Sequence, residues 1–372
     1  MKLLITGGGT GGHVNPGLAI AGYWKEKQPQ TEIAFAGTDR GIETRLVPRA
    51  GYPLYTIPVR GLSRSLTPKA LGHNANALRL AAQSVGRAKK ILREFQPDCV
   101  IGTGGYASFP TVYAAQKMGI PTAILEVNAY PGLASRVLSK RAGAVMICYE
   151  NARKLLSGGP EPVLTGAPVR PDLVHQDRAQ ARAQLGIGPG EKLVVSFWGS
   201  LGAEYMNRHM VDFIVRECRH EPFVHLHAMG AFAKDWMPQR IAQAGVDLKQ
   251  HPRVRLVEYI YNMAQAMAAA DLLICRAGAA TMGEICLLGK PSILVPSPYV
   301  AENHQEKNAR ALEEKGGCLV LTEKSCTGEV LLDKAQRLLA DEGRCLIMSQ
   351  NARKNAITDS QERIYQQILA LL

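Results

Sequence analysis

The stretch Lys2-Leu3-Leu4-Ile5-Thr6-Gly7-Gly8-Gly9-Thr10-Gly11-Gly12-His13-Val14-Asn15-Pro16-Gly17-Leu18-Ala19 decides how the chain reads. A short β-patterned run, 2–6, passes directly into a loop with five glycines in six positions and then into a helical pattern. A strand that ends on glycines and restarts as a helix opens a βαβ unit. Without Cβ atoms the loop lets backbone amides approach a ligand, and amides at a helix start favour an anionic group. The same residues fit G-x-G-x-x-G at Gly7, Gly9 and Gly12, and Asp39 follows the second strand where a ribose-binding acid would sit. A dinucleotide site is therefore a rival reading. His13 stands at the helix start, which favours the neutral imidazole of a general base; a structural cap is the other reading.

Outward from that opening the alternation continues. Strand candidates fall at 2–6, 32–37, 54–59, 99–103, 122–127 and 145–149, with amphipathic segments at 18–27, 68–95 and 111–117. The pattern restarts at 193–197, 224–228, 254–257, 272–275, 293–295 and 319–321, separated by helical stretches at 207–219, 236–244, 281–288 and 303–315. Apolar strands alternating with helices predict an α/β architecture of two Rossmann-like, doubly wound parallel-sheet domains facing across a cleft. At 372 residues there is length for two cores. Thr165-Gly166-Ala167-Pro168-Val169-Arg170-Pro171 has the punctuation of a linker. It divides the chain into 1–167 and 168–354, with a last helix near 355–372 expected to pack back on the first domain.

Three further loops follow strands. Gly102-Thr103-Gly104-Gly105-Tyr106 lines the edge of the first sheet, and Trp198-Gly199-Ser200-Leu201-Gly202-Ala203 follows the first strand of the second domain. Arg276-Ala277-Gly278-Ala279-Ala280-Thr281 opens a helix whose small residues leave room for a diphosphate against the N-terminal amides. Glu284, one turn in, can accept hydrogen bonds from a ribose diol. His225 and His227 have strand spacing that puts both rings on one face, but no third metal ligand accompanies them. Neither G-x-S-x-G nor a phosphate-loop G-x-x-x-x-G-K-[ST] occurs, against hydrolase and kinase readings. With no Asp-x-Asp, a carboxylate-held metal bridging a diphosphate is not indicated, and no cofactor is expected. The eight cysteines show no C-x-x-C and read as reduced thiols, and no run of 18 apolar residues predicts a spanning helix. The N-terminus lacks the apolar stretch and cleavage site of a signal peptide.

At these residues the chain resembles the UDP-N-acetylglucosamine transferases of peptidoglycan synthesis, a family of GT-B glycosyltransferases. The resemblance runs from GGGTGGHVNPGLA through IGTGGYASFP, the Glu126/Asn128 segment, TGAPVR and CRAGAATMGE to the NHQEKNA helix, nearly the whole chain. It implies transfer of N-acetylglucosamine from UDP-GlcNAc to the MurNAc 4-hydroxyl of an undecaprenyl-diphosphate-linked acceptor. It implies that Arg170 and Ser200 contact the diphosphate side and that Ile260 meets the uracil through its backbone. Ala279, Ala280, Thr281, Met282, Gly283 and Glu284 would hold diphosphate and ribose, and Gln305 with His304 would read the sugar hydroxyls. Thr10, Gly11, Gly12 and Asn128 would close over the donor; His13 matches the family's base, with Glu126 as the alternative. Two motifs depart from the family: Leu125-Glu126-Val127-Asn128 stands where His-Glu-Gln-Asn is usual, and Trp198-Gly199-Ser200-Leu201-Gly202 where Gly-Gly-Ser-Gln-Gly is usual. Rivals on the same scaffold are a transferase acting on diacylglycerol or another lipid and a UDP-GlcNAc 2-epimerase; an NAD-dependent dehydrogenase would use the first loop alone.

Charge supplies a partner. Lys and Arg number 44 against 32 Asp and Glu, a net +12. Between Thr44 and Arg93 stand ten basic residues and no acid, among them Arg60, Arg64, Lys69 and Arg79; Arg136, Lys140 and Arg141 form a second acid-free group. Leu62, Leu66, Leu71, Leu78 and Leu80 interleave with the first group, a combination suited to an anionic membrane surface. No RNP-like aromatic motif or zinc-finger spacing accompanies the charge, so nucleic acid is not an expected partner. The expected location is peripheral, at the cytoplasmic face of a bacterial cell membrane.

Overall fold

The computed structural model describes residues 1–59, 68–169, 173, 176–199, 201–300 and 303–372, with backbone only at 68–79, 81 and 82. The chain divides into two compact units, Met1–Pro171 joined by Asp359–Leu372, and Asp172–Thr358.

The first unit holds strands β1 (Lys2–Gly7), β2 (Glu32–Thr38), β3 (Leu54–Ile57), β4 (Cys99–Gly104), β5 (Thr122–Glu126), β6 (Ala144–Ile147) and β7 (Val163–Leu164). They form one wholly parallel sheet in the order β3-β2-β1-β4-β5-β6-β7. A strand covered on both faces has no wet side, which is why β1 reads as a continuous apolar run rather than alternating; Leu3, Leu4 and Ile5 are all fully buried. One core packs Leu4, Val100, Ile124 and Ile147 against Ile91, Leu92 and Phe95 of the helix Pro68–Phe95. The helix Ser360–Leu369 belongs to this unit: Ile364 and Ile368 are buried, and the Tyr365 ring lies 4.6 Å from that of Trp24. Hydrogen bonds from Gln366, Tyr23 and Lys27 hold the Glu362 carboxyl down at about 2.

The second unit repeats the plan. Its strands are β8 (Leu193–Phe197), β9 (Val224–Ala228), β10 (Val254–Val257), β11 (Leu272–Cys275), β12 (Ser292–Leu294) and β13 (Leu319–Val320), again all parallel, in the order β10-β9-β8-β11-β12-β13. Met206, Met210, Phe213 and Ile214 of the helix Glu204–Glu217 pack with Leu331 and Ala335 of the helix Gly328–Ala340 in its core. The two-sheet α/β expectation holds. In both sheets strand progression reverses beside the first strand, between β1 and β4 and between β8 and β11, and ligands in such sheets bind outside the carboxyl ends at that point.

Several elements were not expected from the pattern, among them the helices Leu133–Leu138, Arg178–Gln184, Met263–Ala269, Gly328–Ala340 and Glu342–Lys354. Two others are β7, only two residues long, and the helix Glu43–Arg49, which contains Pro48 near its end. All eight cysteines are free thiols, seven of them buried, and burial pushes Cys99 up to about 12.

Because Ile368 seats the last helix on the first unit, Ile368→Ala is expected to lower that unit's unfolding free energy by about 3 kcal/mol, the usual cost of a large core truncation. Denaturant unfolding followed through Trp24 fluorescence reads this directly.

Candidate active site

The helix Gly11–Lys27 begins at Thr10, which no side chain caps. Thr10 Oγ1 is 3.2 Å from His13 Nδ1, and the His13 backbone N–H donates to the Thr10 carbonyl at 3.1 Å. The imidazole, half-buried, lies against the second glycine loop: a Cβ on Gly104 would sit 2.8 Å from His13 Cδ2, and one on Gly105 would sit 3.0 Å from Nδ1. Both glycines have positive φ, +100° and +76°, so the turn that admits the ring is one that L side chains rarely adopt. Thr103 ties the two loops by donating from Oγ1 to the His13 carbonyl at 2.7 Å.

Beneath the first loop lies a residue that motif reading passed over. Glu43, 1% exposed, accepts from the Gly9 N–H at 3.0 Å, the Thr38 N–H at 2.8 Å and the Thr38 hydroxyl at 2.7 Å. A Cβ at Gly8 or Gly41 would fall 2.2 Å or 2.0 Å from this carboxylate, so those glycines make room for a protein anion. The Gly9 amide is thus already engaged. In a dinucleotide fingerprint the second glycine lets the backbone approach a pyrophosphate, and here the protein's own acid holds that position. Gly8, Gly37 and Gly41, from three segments, gather around this one acid only in the folded chain.

Glu126 ends β5 and is also buried. It accepts from the Asn128 N–H at 2.8 Å, the Asn128 side-chain amide at 2.9 Å and the Gly132 N–H at 3.3 Å. Burial raises its pKa against the opposing pull of hydrogen bonds from Ser135, Asn128 and Gly132. The carboxylate orients Asn128, itself half-buried, and braces the turn that leads to the helix Leu133–Leu138.

In the second unit the helix Ala279–Leu288 starts at Gly278, with no side-chain cap and no acid in its first turn. Ala279, Ala280 and Thr281 keep that end small, while Met282 and Glu284 are buried and Gly283 lies between them. Glu284, 6% exposed, sits one turn in. Arg276 points inward: it donates to the Val295 carbonyl at 3.0 Å, pairs with Glu323 and stacks on the Trp198 ring. Trp198 is therefore a packing partner of Arg276 and is buried. Ile260 is buried just beyond β10. His304 and Gln305 open the helix His304–Glu313, and Gln305 Oε1 accepts from the Ser297 N–H at 2.9 Å.

Within the first unit, His13 and Thr10 share a loop with Gly11 and Gly12. In the second, Ala279 to Glu284 share one helix start. Arg170, Ser200, Arg60 and Arg64 lie outside the described residues, as do the side chains of Lys69 and Arg79. Arg136 and Lys140 are exposed, next to Leu133 and Val137, which are 71% and 44% exposed. His225 and His227 do share a face, buried together in β9. Among the described residues no group of three His, Cys, Asp or Glu side chains is placed to hold a metal ion, and no helix is long and apolar enough to cross a membrane.

Residues 3–147 match the glycosyltransferase family 28 N-terminal domain, and residues 193–364 match the glycosyltransferase family 28 C-terminal domain. A relative from Acetivibrio thermocellus, a UDP-N-acetylglucosamine–N-acetylmuramyl-(pentapeptide) pyrophosphoryl-undecaprenol N-acetylglucosamine transferase, is 43% identical over 98% of this chain and 97% of its own. One of the same name from Ruminiclostridium cellulolyticum is 43% identical over the full length of both chains. Among solved structures, MurG from Acinetobacter baumannii matches with a TM-score of 0.69 at 26% identity, over 99% of each chain. A UDP-GlcNAc 2-epimerase from Neisseria meningitidis, bound to UDP-GlcNAc, matches over the full length of both chains with a TM-score of 0.68 at 14% identity, a likeness of fold alone. With both halves matched and full-length relatives above two-fifths identity, the chain belongs to glycosyltransferase family 28.

Proposed function

We propose that the chain transfers N-acetylglucosamine from UDP-GlcNAc to the 4-hydroxyl of MurNAc in undecaprenyl-diphosphate-MurNAc-pentapeptide, with inversion at the anomeric carbon. The observation that carries this is the full-length likeness to transferases named for that donor and acceptor, at 43% identity.

The second unit is the donor half. Backbone amides and the dipole at the start of Ala279–Leu288 meet the charge that grows on the β-phosphate as the bond from C1 to UDP breaks. Arg170 and Ser200 add to that stabilisation, Glu284 takes the ribose diol, Ile260 the uracil, and Gln305 with His304 the sugar hydroxyls. The reaction is proposed to need no metal, with a helix start in the place that an Asp-x-Asp-held ion takes elsewhere.

From the first unit come the base and its setting. The base role assigns Nδ1–H as the donor to Thr10 Oγ1, 3.2 Å away, which puts the basic lone pair of His13 on Nε2. His13 takes the acceptor's hydroxyl proton as the oxygen attacks C1 and UDP departs. Glu126 is the weaker candidate for that task, because its oxygens are turned to Asn128 and Gly132 in a buried turn. Glu43 acts as a positioning group, fixing the Gly9 amide and hence the entry into the helix that carries His13.

The lipid-linked acceptor calls for a membrane surface. Exposed Leu133 and Val137 beside Arg136, Lys140 and Arg141 make an amphipathic patch on the first unit. Arg60, Arg64, Lys69 and Arg79 add to the basic charge of the same half of the sequence, and the enzyme is proposed to work peripherally at the cytoplasmic face.

Radiolabelled UDP-GlcNAc is expected to yield disaccharide with the lipid-diphosphate-MurNAc acceptor and none with diacylglycerol; ManNAc formed without acceptor would instead identify an epimerase. His13→Ala should lower kcat by about 10²–10⁴-fold while UDP affinity stays nearly unchanged. Survival of kcat within a few-fold would move the base role to Glu126. Glu43→Gln, which keeps one acceptor oxygen, should cost about 1–3 kcal/mol of stability and lower kcat by about 10–100-fold through misplacement of His13. The full chain should bind vesicles containing anionic lipid, with about 1 kcal/mol lost per removed Lys or Arg near the surface and with affinity falling as salt rises. Equal binding to neutral and anionic vesicles would remove the patch.

A further inference from the structure

The second unit contains a polar chain that the reaction above does not use. Glu217, His225, Ser196, His227 and Asn207 are all at most 1% exposed and lie on three neighbouring elements, the helix Glu204–Glu217 and strands β8 and β9. Glu217 Oε2 lies 2.7 Å from His225 Nδ1. His225 Nε2 is 2.7 Å from Ser196 Oγ, which is 2.6 Å from His227 Nδ1. His227 Nε2 reaches Asn207 Oδ1 at 3.3 Å, and Asn207 Nδ2 donates to the Met229 carbonyl at 2.6 Å.

The last bond sets the direction of all the others. A carbonyl only accepts, so Asn207 must present its amide nitrogen to Met229 and its oxygen to His227. His227 Nε2 therefore carries hydrogen. Burial and the neighbouring His225 push the pKa of His227 well below its usual value, against a raising hydrogen bond with the Ser196 backbone, so the ring is neutral. With its one hydrogen on Nε2, Nδ1 is bare and accepts the Ser196 hydroxyl proton. Ser196 Oγ must then accept from His225 Nε2–H. One proton remains for the contact between His225 Nδ1 and Glu217, held as an imidazolium–carboxylate pair or as a carboxylic acid donating to a neutral ring. Glu217 Oε1 has no hydrogen-bond partner among the described residues, so His225 is what answers this acid. The other groups around the pair are the Phe213 and Phe223 rings and the Cys218 thiol.

The far end of the chain meets the loop that follows β8. Met229 and Gly230 press on Gly202: a Cβ on Gly202 would lie 2.3 Å from the Met229 carbonyl oxygen, and one on Gly230 would lie 2.2 Å from the Gly202 nitrogen. Gly202 N–H donates to the Gly199 carbonyl at 3.1 Å, and Phe232 N–H donates to the Leu201 carbonyl at 3.2 Å. We propose that Glu217, His225, Ser196, His227 and Asn207 form one directional hydrogen-bond chain, with a single proton shared at its Glu217 end, that holds Met229 and Gly202 in place for the donor diphosphate. That functional clause rests on the proposed donor role of the second unit; the direction of the chain does not.

Histidine nitrogen NMR on the full chain tests the direction first. Both His225 and His227 should carry hydrogen on Nε2, and a His227 protonated on Nδ1 alone overturns the chain. UDP titration tests the positioning role. Ser196→Ala, which loses one oxygen, and Asn207→Leu, which keeps the branching with methyls for the amide atoms, should each weaken UDP binding by about fivefold or more, because each breaks the path to Met229. Glu217→Gln should stay within about twofold, because its amide donates to His225 Nδ1 and keeps the direction. Folded Ser196→Ala and Asn207→Leu proteins with unaltered UDP affinity would leave the chain a packing feature and overturn its positioning role. A wild-type chain that binds no UDP would instead sink the donor reading, with the histidine signals still deciding the chain's direction.

Discussion

A chain that must return parallel to its own strand has to cross the sheet each time, and in both units it crosses outward from the first strand in two directions. That constraint puts β1 against β4 as well as β2, and β8 against β11 as well as β9. The crossover helices leaving in opposite senses part at those pairs, so the loops after them are held by a rigid sheet without being covered by it. His13 follows β1 and rests on the loop after β4; Trp198 and Gly199 follow β8, and the helix Ala279–Leu288 follows β11. Site geometry in each unit is inherited from strand order, and side-chain chemistry enters only where the strands stop.

Two helix starts at these ends show how differently the same backbone feature can be used. Beside the start of Gly11–Lys27 the chain supplies its own anion: Glu43 takes the Gly9 amide, and the glycines around it leave no space for a second anion in that cradle. What this loop presents outward is His13, with Thr10 on one nitrogen. At Ala279–Leu288 no side chain caps the first turn, and its alanines and threonine stay small. The first start is thus filled by a protein carboxylate and carries a histidine, while the second is left uncapped, although both open with glycine and small residues.

That difference was only half legible in the sequence. The sheets were readable because strands buried on both faces are apolar throughout, as in Leu3-Leu4-Ile5 and Leu272-Leu273-Ile274. The short edge strand Val163–Leu164 was not, since two residues carry no period. Small residues marked the start at Ala279 because smallness is local. Glu43 escaped because its burial comes from Gly8, Gly37 and Gly41, which meet only after β1, β2 and the helix Glu43–Arg49 have assembled. Likewise the shared face of His225 and His227 follows from strand alternation, but their partners Ser196, Asn207 and Glu217 come from β8 and a helix whose register no motif announces.

Of three buried acids, two share one logic and the third departs from it. A loop at the end of a parallel strand leaves amides that no neighbouring strand can pair, and unpaired buried amides are costly. Glu43 answers the Gly9 and Thr38 amides, and Glu126 answers those of Asn128 and Gly132, each directly. Glu217 is too far from its loop to do so; it acts through two histidines, a serine and an asparagine on a carbonyl instead of an amide. A direct carboxylate brace needs only acceptors and is indifferent to tautomers. A relay through imidazoles works in one direction only, and the carbonyl at its end fixes which. That relay therefore depends on where one proton sits, a dependence that the directly braced loops of the first unit do not have.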